Sequence, residues 1–197
     1  MKKSIFINLT ITFSFLLIIL ALSLYIGQMF LHGCLWWECV PERGFHVLDW
    51  DVPIEFFPKD AYKSPIAPSS EGDNEIERGS QIIFWDKDNG VAMYGMGRYP
   101  TVNNAIRQYE HLAKVDNKKE SGFEWKIPLD RQPYKSNTAD AFMITCINQE
   151  RISCNMIARY QEYTIRFYSI IDEKMTYLDF ENIVVYLDKQ ISSRLYP

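Results

Sequence analysis

The sequence has few residues of the kinds that carry out catalysis or bind metals. It contains three histidines and four cysteines among 197 residues, and it lacks a G-x-S-x-G motif. No metal site is expected, because zinc ligands cluster at short spacings and His32, His46 and His111 do not. Gly95 and Gly97 precede a predicted helix without a third glycine, which favours close backbone packing or a β-bulge over a phosphate loop. We therefore expect no cofactor; the alternative is a hydrolase whose catalytic residues are dispersed along the chain.

Strong positive charge is also missing. The formal net charge is -4, and no dense basic cluster occurs anywhere in the chain. Nucleic-acid binding is not expected, since it depends on neutralising phosphates with lysine and arginine. Aromatic residues make up 15% of the chain, a share that indicates an aromatic-rich sheet core or, alternatively, a ligand groove or partner surface.

Charged residues are absent from a long segment near the N-terminus. Residues 5–30 contain no Asp, Glu, Lys or Arg, and a helix of this length, at about 1.5 Å per residue, exceeds a hydrocarbon core of roughly 30 Å. Lys2 and Lys3 precede the segment whereas only Arg43 follows closely, so the positive-inside tendency places the N-terminus in the cytoplasm. The sequence predicts a cytoplasmic tip at residues 1–4, a transmembrane signal anchor and an extracytoplasmic domain.

Two processed forms are alternatives to a retained helix. A cleaved signal peptide has a shorter apolar stretch and a small-residue cleavage site, which this segment lacks. Leu31-His32-Gly33-Cys34 resembles a bacterial lipobox, although His stands where a small residue is usual. The second alternative is therefore a lipoprotein that carries its lipid on Cys34, which would still leave the domain bound to the membrane.

The four cysteines fall into two close pairs, and an oxidising compartment would permit disulfides between them. Cys34 and Cys39 lie just past the apolar segment. The residues between them include Trp36 and Trp37, and indole rings favour the headgroup layer of a membrane. We expect a disulfide-closed loop resting on the lipid surface, with Tyr25 and both tryptophans at the interface. If Cys34 carries a lipid instead, Cys39 is left unpaired.

The second cysteine pair belongs to a predicted hairpin. Residues 142–147 and 153–160 have the pattern of strands joined by a short polar turn, in a register that sets Cys146 opposite Cys154. Opposed side chains have Cβ atoms about 4.5 to 5.5 Å apart, near enough to bridge with slight adjustment. A third strand at residues 163–171 completes an antiparallel meander.

The outer region also contains a second hairpin and two amphipathic helices. Strands at residues 81–85 and 91–96 flank a turn with Asn-Gly chemistry. An apolar stripe predicts a helix that begins after Thr101, its N-cap. Thr176 and Asp179 resemble a capping box at the start of a C-terminal helix.

Residues 31–79 form a juxtamembrane Cys/Trp loop and a proline-rich lead-in. We expect little regular structure there apart from an edge strand near residues 52–57. A further short strand is predicted at residues 123–127. Residues 80–197 are thus predicted to form an α+β domain, in which an antiparallel sheet, made of a hairpin plus a meander, is backed by two helices.

Two carboxylate-containing segments are candidates for chemistry. Asp49 and Asp51 share one face of an extended chain and could cooperate in acid-base catalysis, although a solvated face beside Trp50 explains them as well. Residues 86–90 resemble the start of a calcium loop, but Gly97 stands at the twelfth position and cannot supply the closing carboxylate. A turn is the expected structure for that segment.

These features predict a location and a kind of role. We expect a membrane-anchored extracytoplasmic domain that acts as a non-catalytic binding or interaction module, for instance as an accessory subunit of a membrane complex. Its expected partner besides the membrane is a protein or a small ligand.

Overall fold

The computed structural model describes residues 2–68, 75–116, 132–148 and 151–196. The strand expected at residues 123–127 lies outside the described residues. The chain divides into two compact units, Met1–Cys39 and Val40–Pro197, and each is described by itself.

The first unit is one long helix followed by a small loop. Helix α1 spans Lys2–His32, and its segment Ile11–His32 is long and apolar enough to cross a membrane. The loop is closed by a disulfide between Cys34 and Cys39. Backbone N–H groups of Glu38 and Cys39 donate to the Leu35 carbonyl at 2.8 and 3.0 Å, and this turn brings the second cysteine back to the first.

The second unit is built on one antiparallel sheet, which has seven strands among the described residues. They are β1 (Tyr62–Lys63), β2 (Ala67–Pro68), β3 (Glu77–Trp85), β4 (Gly90–Arg98), β5 (Ala141–Asn148), β6 (Ile152–Tyr160) and β7 (Tyr163–Ile171). Their order is β1-β3-β4-β7-β6-β5, and β2 pairs with the same edge of β3 as β1. The predicted hairpin and meander are confirmed, and pairing of β4 with β7 joins them into one sheet.

The predicted turn between β3 and β4 is present, with one difference in its backbone. The left-handed conformation between β3 and β4 occurs at Asp86, Lys87 and Asp88, with φ of 50°, 52° and 72°. Gly90 serves another purpose, because a Cβ at this position would overlap the indole of Trp85. The Asn-Gly pair therefore ends the turn, and the glycine allows the tryptophan to pack against the backbone.

The pairing register gives the sheet two faces, and the first holds the main core. Alternate residues such as Ile83, Tyr94 and Phe167 point to this face and are almost fully buried. Helix α3 (Tyr177–Leu195) packs on it and begins with the predicted capping box. Its buried apolar residues follow the predicted stripe: Phe180, Ile183, Val184, Leu187 and Ile191.

The proline-rich lead-in completes the first face. Short 3-10 helices form at Val47–Asp49 and Ile54–Phe56. The prediction of an edge strand near residues 52–57 is therefore wrong. Pro53, with φ of -53°, starts the second 3-10 helix. The turn directs Val52 and Phe57 into the core instead of alternating side chains along an edge.

The start of the lead-in is bonded to the sheet. The Val40 N–H donates to the Pro100 carbonyl at 3.1 Å, and the Arg98 guanidinium donates to the Pro41 carbonyl at 2.5 Å. Arg43 reaches the turn between β6 and β7. The second unit is therefore organised from its first residues onward.

Helix α2 (Val102–Asp116) lies on the second face, so the two predicted helices are on opposite sides of the sheet. Thr101 accepts the Asn104 N–H at 3.1 Å, as expected of an N-cap. The helix packs on β5, β6 and β7 and helps to bury Ile157 beneath it. Among the described residues, the β3–β4 half of this face carries no helix.

Candidate functional site

The part of the second face beside α2 is the main candidate for a binding surface. Its side chains are apolar and partly exposed, and we call these six residues the open face: Ile82, Phe84, Val91, Met93, Tyr168 and Ile170. Ile82 is 37% exposed, whereas its neighbour Ile83, on the first face, is fully buried. Tyr62 extends the surface by stacking on Phe84, with ring centroids 5.5 Å apart.

A groove adjoins the open face, between α2 and β4. Two glycines of β4, Gly95 and Gly97, lie on this face at alternate positions and line a depression of about 180 Å³. A Cβ at Gly97 would come within 2.6 Å of the Glu75 carboxylate, but one at Gly95 would meet nothing closer than 3.9 Å. Close packing, which the sequence favoured for both glycines, thus holds for Gly97, while Gly95 borders free space.

The groove is lined by residues of both polarities. They are Glu75, Arg78, Ser80, Met93, Gly95, Met96, Gly97, Tyr99, Gln108, Leu112, Thr164 and Arg166. The charged members of this lining are two arginines and one glutamate.

Glu75 closes one end of the groove. Its side chain is 8% exposed and lies 3.4 Å from the Arg78 guanidinium. The Tyr99 hydroxyl donates to the same carboxylate at 2.6 Å and accepts from the Thr164 hydroxyl at 3.4 Å. Burial, and then the hydrogen bond to Glu75, raises the pKa of Tyr99. The tyrosine therefore remains a hydrogen-bond donor, and the carboxylate keeps its partner.

The two arginines of the groove differ in how they are held. Arg166 Nε donates to Asn155 Oδ1 at 3.2 Å, and Asn155 is buried beneath it. Arg78 is 33% exposed, and its ion pair with Glu75 engages one side of the guanidinium. A guanidinium has five N–H donors in a planar fork, so Arg78 can engage a second acceptor.

The membrane-interface residues predicted from the sequence lie on the first unit. Trp36 and Trp37 are 63% and 75% exposed on the disulfide loop, and Tyr25 lies on α1 at 50% exposure. Both expected disulfides are present, Cys34–Cys39 and Cys146–Cys154, the latter between directly paired residues of β5 and β6. A sulfur in a disulfide cannot also carry a lipid, so the lipoprotein alternative requires this first bond to be absent.

The two carboxylates considered for acid-base chemistry each have a separate local partner. Asp49 accepts the His46 N–H at 2.8 Å and caps the first 3-10 helix. Asp51 lies 2.7 Å from Lys63 Nζ. His111 is exposed on α2. Asp49 and Asp51 thus bond to neighbouring groups of the lead-in and β1, and His111 faces solvent.

A buried polar cluster around Asp188 was not expected from the sequence. Its carboxylate is 5% exposed and accepts four hydroxyl donors, from Tyr134 at 2.5 Å, Ser136 at 2.7 Å, Thr138 at 3.1 Å and Tyr160 at 2.5 Å. All four hydroxyls are committed to one acceptor inside the protein. The cluster therefore links residues 134–138 to α3 and does not present a nucleophile to solvent.

A group of ion pairs holds the end of the sheet. Glu162, 1% exposed, pairs with Arg43 at 2.7 Å and lies 3.7 Å from Arg98. Arg98 also pairs with Glu77 at 2.7 Å. Each buried charge thus has a partner of opposite sign, which makes these residues structural.

In the part of the chain that the structure describes, no group of three or more His, Cys, Asp or Glu residues could hold a metal ion. The candidate site is the open face with its adjoining groove. The chain matches no model of a known protein family, and a search of curated proteins found no match.

Proposed function

We propose that this protein is a membrane-anchored, non-catalytic binding module that holds a partner protein on the open face, outside the cytoplasm. The observation that carries the proposal is the unequal cover of the two sheet faces. The first face is closed by α3 and the lead-in, whereas half of the second has apolar side chains and no helix among the described residues. Neighbouring apolar side chains that stay partly exposed are a feature of interaction sites.

The anchor in this proposal is α1. Its segment Ile11–His32 has the length and composition of a membrane span. Lys2 and Lys3 at its start favour a cytoplasmic N-terminus and an external second unit. The exposed Trp36 and Trp37 rings would then lie in the headgroup layer, where an apolar ring with one N–H donor is favoured.

The disulfides also favour an extracytoplasmic location for the second unit. Such bonds persist in oxidising compartments and are rare in the cytosol. Cys146–Cys154 lies within the sheet of the second unit, so that unit would fold outside.

The composition of the open face favours a protein partner over a substrate. Aromatic residues and methionine are enriched at protein interfaces, and charged residues are depleted at their centres. The open face has Phe84, Met93 and Tyr168 and no charged member. The surface thus has the chemistry of an interface core with no reactive group at its centre.

The proposal is tested in native membranes by a photo-crosslinking side chain placed in the full-length chain. Positions Ile82 and Val91 sample the open face. Leu178, 53% exposed on α3, is the matched control. We expect a discrete crosslinked species at the first two positions and not at the control.

The specificity of the crosslink is tested by introducing a charged side chain into the open face that carries the crosslinker. Ile82→Glu should remove the crosslink formed at Val91, because an ionised carboxylate in an apolar interface is costly to desolvate. Leu178→Glu should leave it unchanged. Equal crosslinking at all three positions, or none at any, would contradict the proposal.

A further inference from the structure

We infer that the groove receives a carboxylate on a short apolar chain, an acidic side chain presented by the partner that covers the open face. The inference rests on the proposed function and names the chemistry that the partner must carry. The two sites are continuous, because Met93 belongs to the open face and also lines the groove.

The cationic group for this carboxylate is Arg78. Its guanidinium is partly exposed, at 33%, and contacts Glu75 at 3.4 Å through one nitrogen. Arginine suits this role because its planar fork can pair with two carboxylates at once and stays charged at every physiological pH. Ser80 and Gln108 add uncharged hydrogen-bonding side chains to the same groove.

The Glu75 carboxylate is already bound at this end of the groove, by Arg78 at 3.4 Å and by the Tyr99 hydroxyl at 2.6 Å. Its negative charge limits the charge of a group that enters the groove beside it. Like charges repel strongly where water is scarce, so a singly charged carboxylate fits beside Glu75 better than a doubly charged phosphate.

The shape of the groove limits the size of the group. Its volume of about 180 Å³ is smaller than the roughly 300–1,000 Å³ of pockets that hold drug-sized ligands. The groove is therefore suited to a single side chain. Gly95, Met93 and Leu112 supply apolar walls for the methylene groups that lead to the carboxylate.

The site is tested first with sodium hexanoate as the probe and the full-length protein in detergent. Methyl resonances of labelled methionines report binding: the Met93 side chain lies on the same face of the sheet as the groove, while Met96, Met156 and Met175 are buried in the core. We expect hexanoate to shift the Met93 resonance and to leave those of the three core methionines unchanged. Hexanol, which has the same chain without the carboxylate, should not shift the Met93 resonance at the same concentration.

Two variants test the residues. Arg78→Gln should weaken hexanoate binding about tenfold or more, since it removes a charge-assisted hydrogen bond. Gly95→Val should abolish binding by filling the groove, and it should leave the fold intact because its Cβ enters free space. Gly44→Val, also at a position with free space around it, is the control that should bind normally. Equal binding of hexanol and hexanoate, or unchanged binding by Arg78→Gln, would overturn the inference.

The source of the carboxylate is tested in membranes. If the partner presents it, Gly95→Val should also reduce the crosslink at Val91. Loss of hexanoate binding with an unchanged crosslink would overturn the assignment to the partner. Absence of any crosslink in the unchanged protein, together with normal hexanoate binding, would refute the proposed function and the partner assignment while leaving the carboxylate site in place.

Discussion

Arg43 pairs with Glu162, a residue 119 positions further along the chain, through two nitrogens at 2.7 and 2.9 Å. The contact joins the lead-in to the turn between β6 and β7. The Glu162 carboxylate is almost completely buried, and its hydrogen bond raises the pKa of Arg43. This pair therefore fastens the lead-in to the end of the sheet.

Glu162→Gln is expected to destabilise the second unit strongly. Removing the Glu162 charge leaves the partly buried Arg43 without its countercharge and leaves the buried Arg98 with Glu77 alone. Breaking a buried ion pair in this way typically costs about 3–5 kcal/mol. Asp51→Asn breaks an exposed pair with Lys63 and should cost about 1 kcal/mol or less. Urea unfolding followed by tryptophan fluorescence measures both, and similar losses in the two variants would contradict a structural role for Glu162.

Tyr134 should make the protein sensitive to alkali. Burial, followed by the hydrogen bond to Asp188, raises the pKa of Tyr134 to about 12. Because the folded state favours the protonated phenol, the contribution to stability is complete below the unfolded value near 10 and is lost as the pH rises towards 12. Tyr134→Phe should flatten this decline in urea midpoints measured from pH 8 to 11. An unchanged slope in Tyr134→Phe would count against this assignment.

Gly90 and Gly95 should respond in opposite ways to alanine. Gly90→Ala places a methyl group against the Trp85 indole, whose Nε1 donates to Asp172 at 3.0 Å, and overpacking of this kind costs about 1–3 kcal/mol. Gly95→Ala enters free space and should be neutral or stabilise by up to about 1 kcal/mol. Equal unfolding midpoints for the two variants would show that the indole does not pack as described.

The anchor can be distinguished from a lipid by mass and by a pair of serine variants. With a retained helix, the membrane-extracted protein should keep the apolar segment that precedes Cys34, carry two disulfides and have no added acyl mass. Cys34→Ser and Cys39→Ser both remove the loop disulfide, but only the first removes the lipidation site. With the retained helix as the anchor, both variants should fractionate with membranes equally. A chain that starts at Cys34 with added acyl mass would exclude the transmembrane interpretation and leave the location unchanged.

The elements that the sequence predicted correctly are those with local signals. Alternating strands on either side of a polar turn predicted both hairpins, and the register that pairs Cys146 with Cys154 follows from the turn between them. The capping box at Thr176 is likewise a pattern of four residues. Each of these features depends only on residues that are close together in the sequence.

The features that the sequence did not predict depend on distant contacts. Pairing of β4 with β7 joins two hairpins, and nothing local indicates which edges meet or which face each helix covers. Asp188 did leave a signal, since a carboxylate stands at the spacing of the apolar stripe that includes Val184 and Ile191. The four hydroxyls that make its burial tolerable come from two separate segments and emerge only in the folded structure. The groove was missed for the same reason: two glycines in a strand do not reveal that only one of them borders free space.

The bonds made by Val40, Pro41 and Arg43 determine how a soluble recombinant fragment must be cut. A fragment that begins at residue 80, where the strands seem to start, would expose the first sheet face that the lead-in covers and would leave Glu162 without Arg43. One that begins at Val40 keeps the compact unit whole and omits the apolar helix. Secretion of that longer fragment through an oxidising compartment is the route we expect to yield folded material.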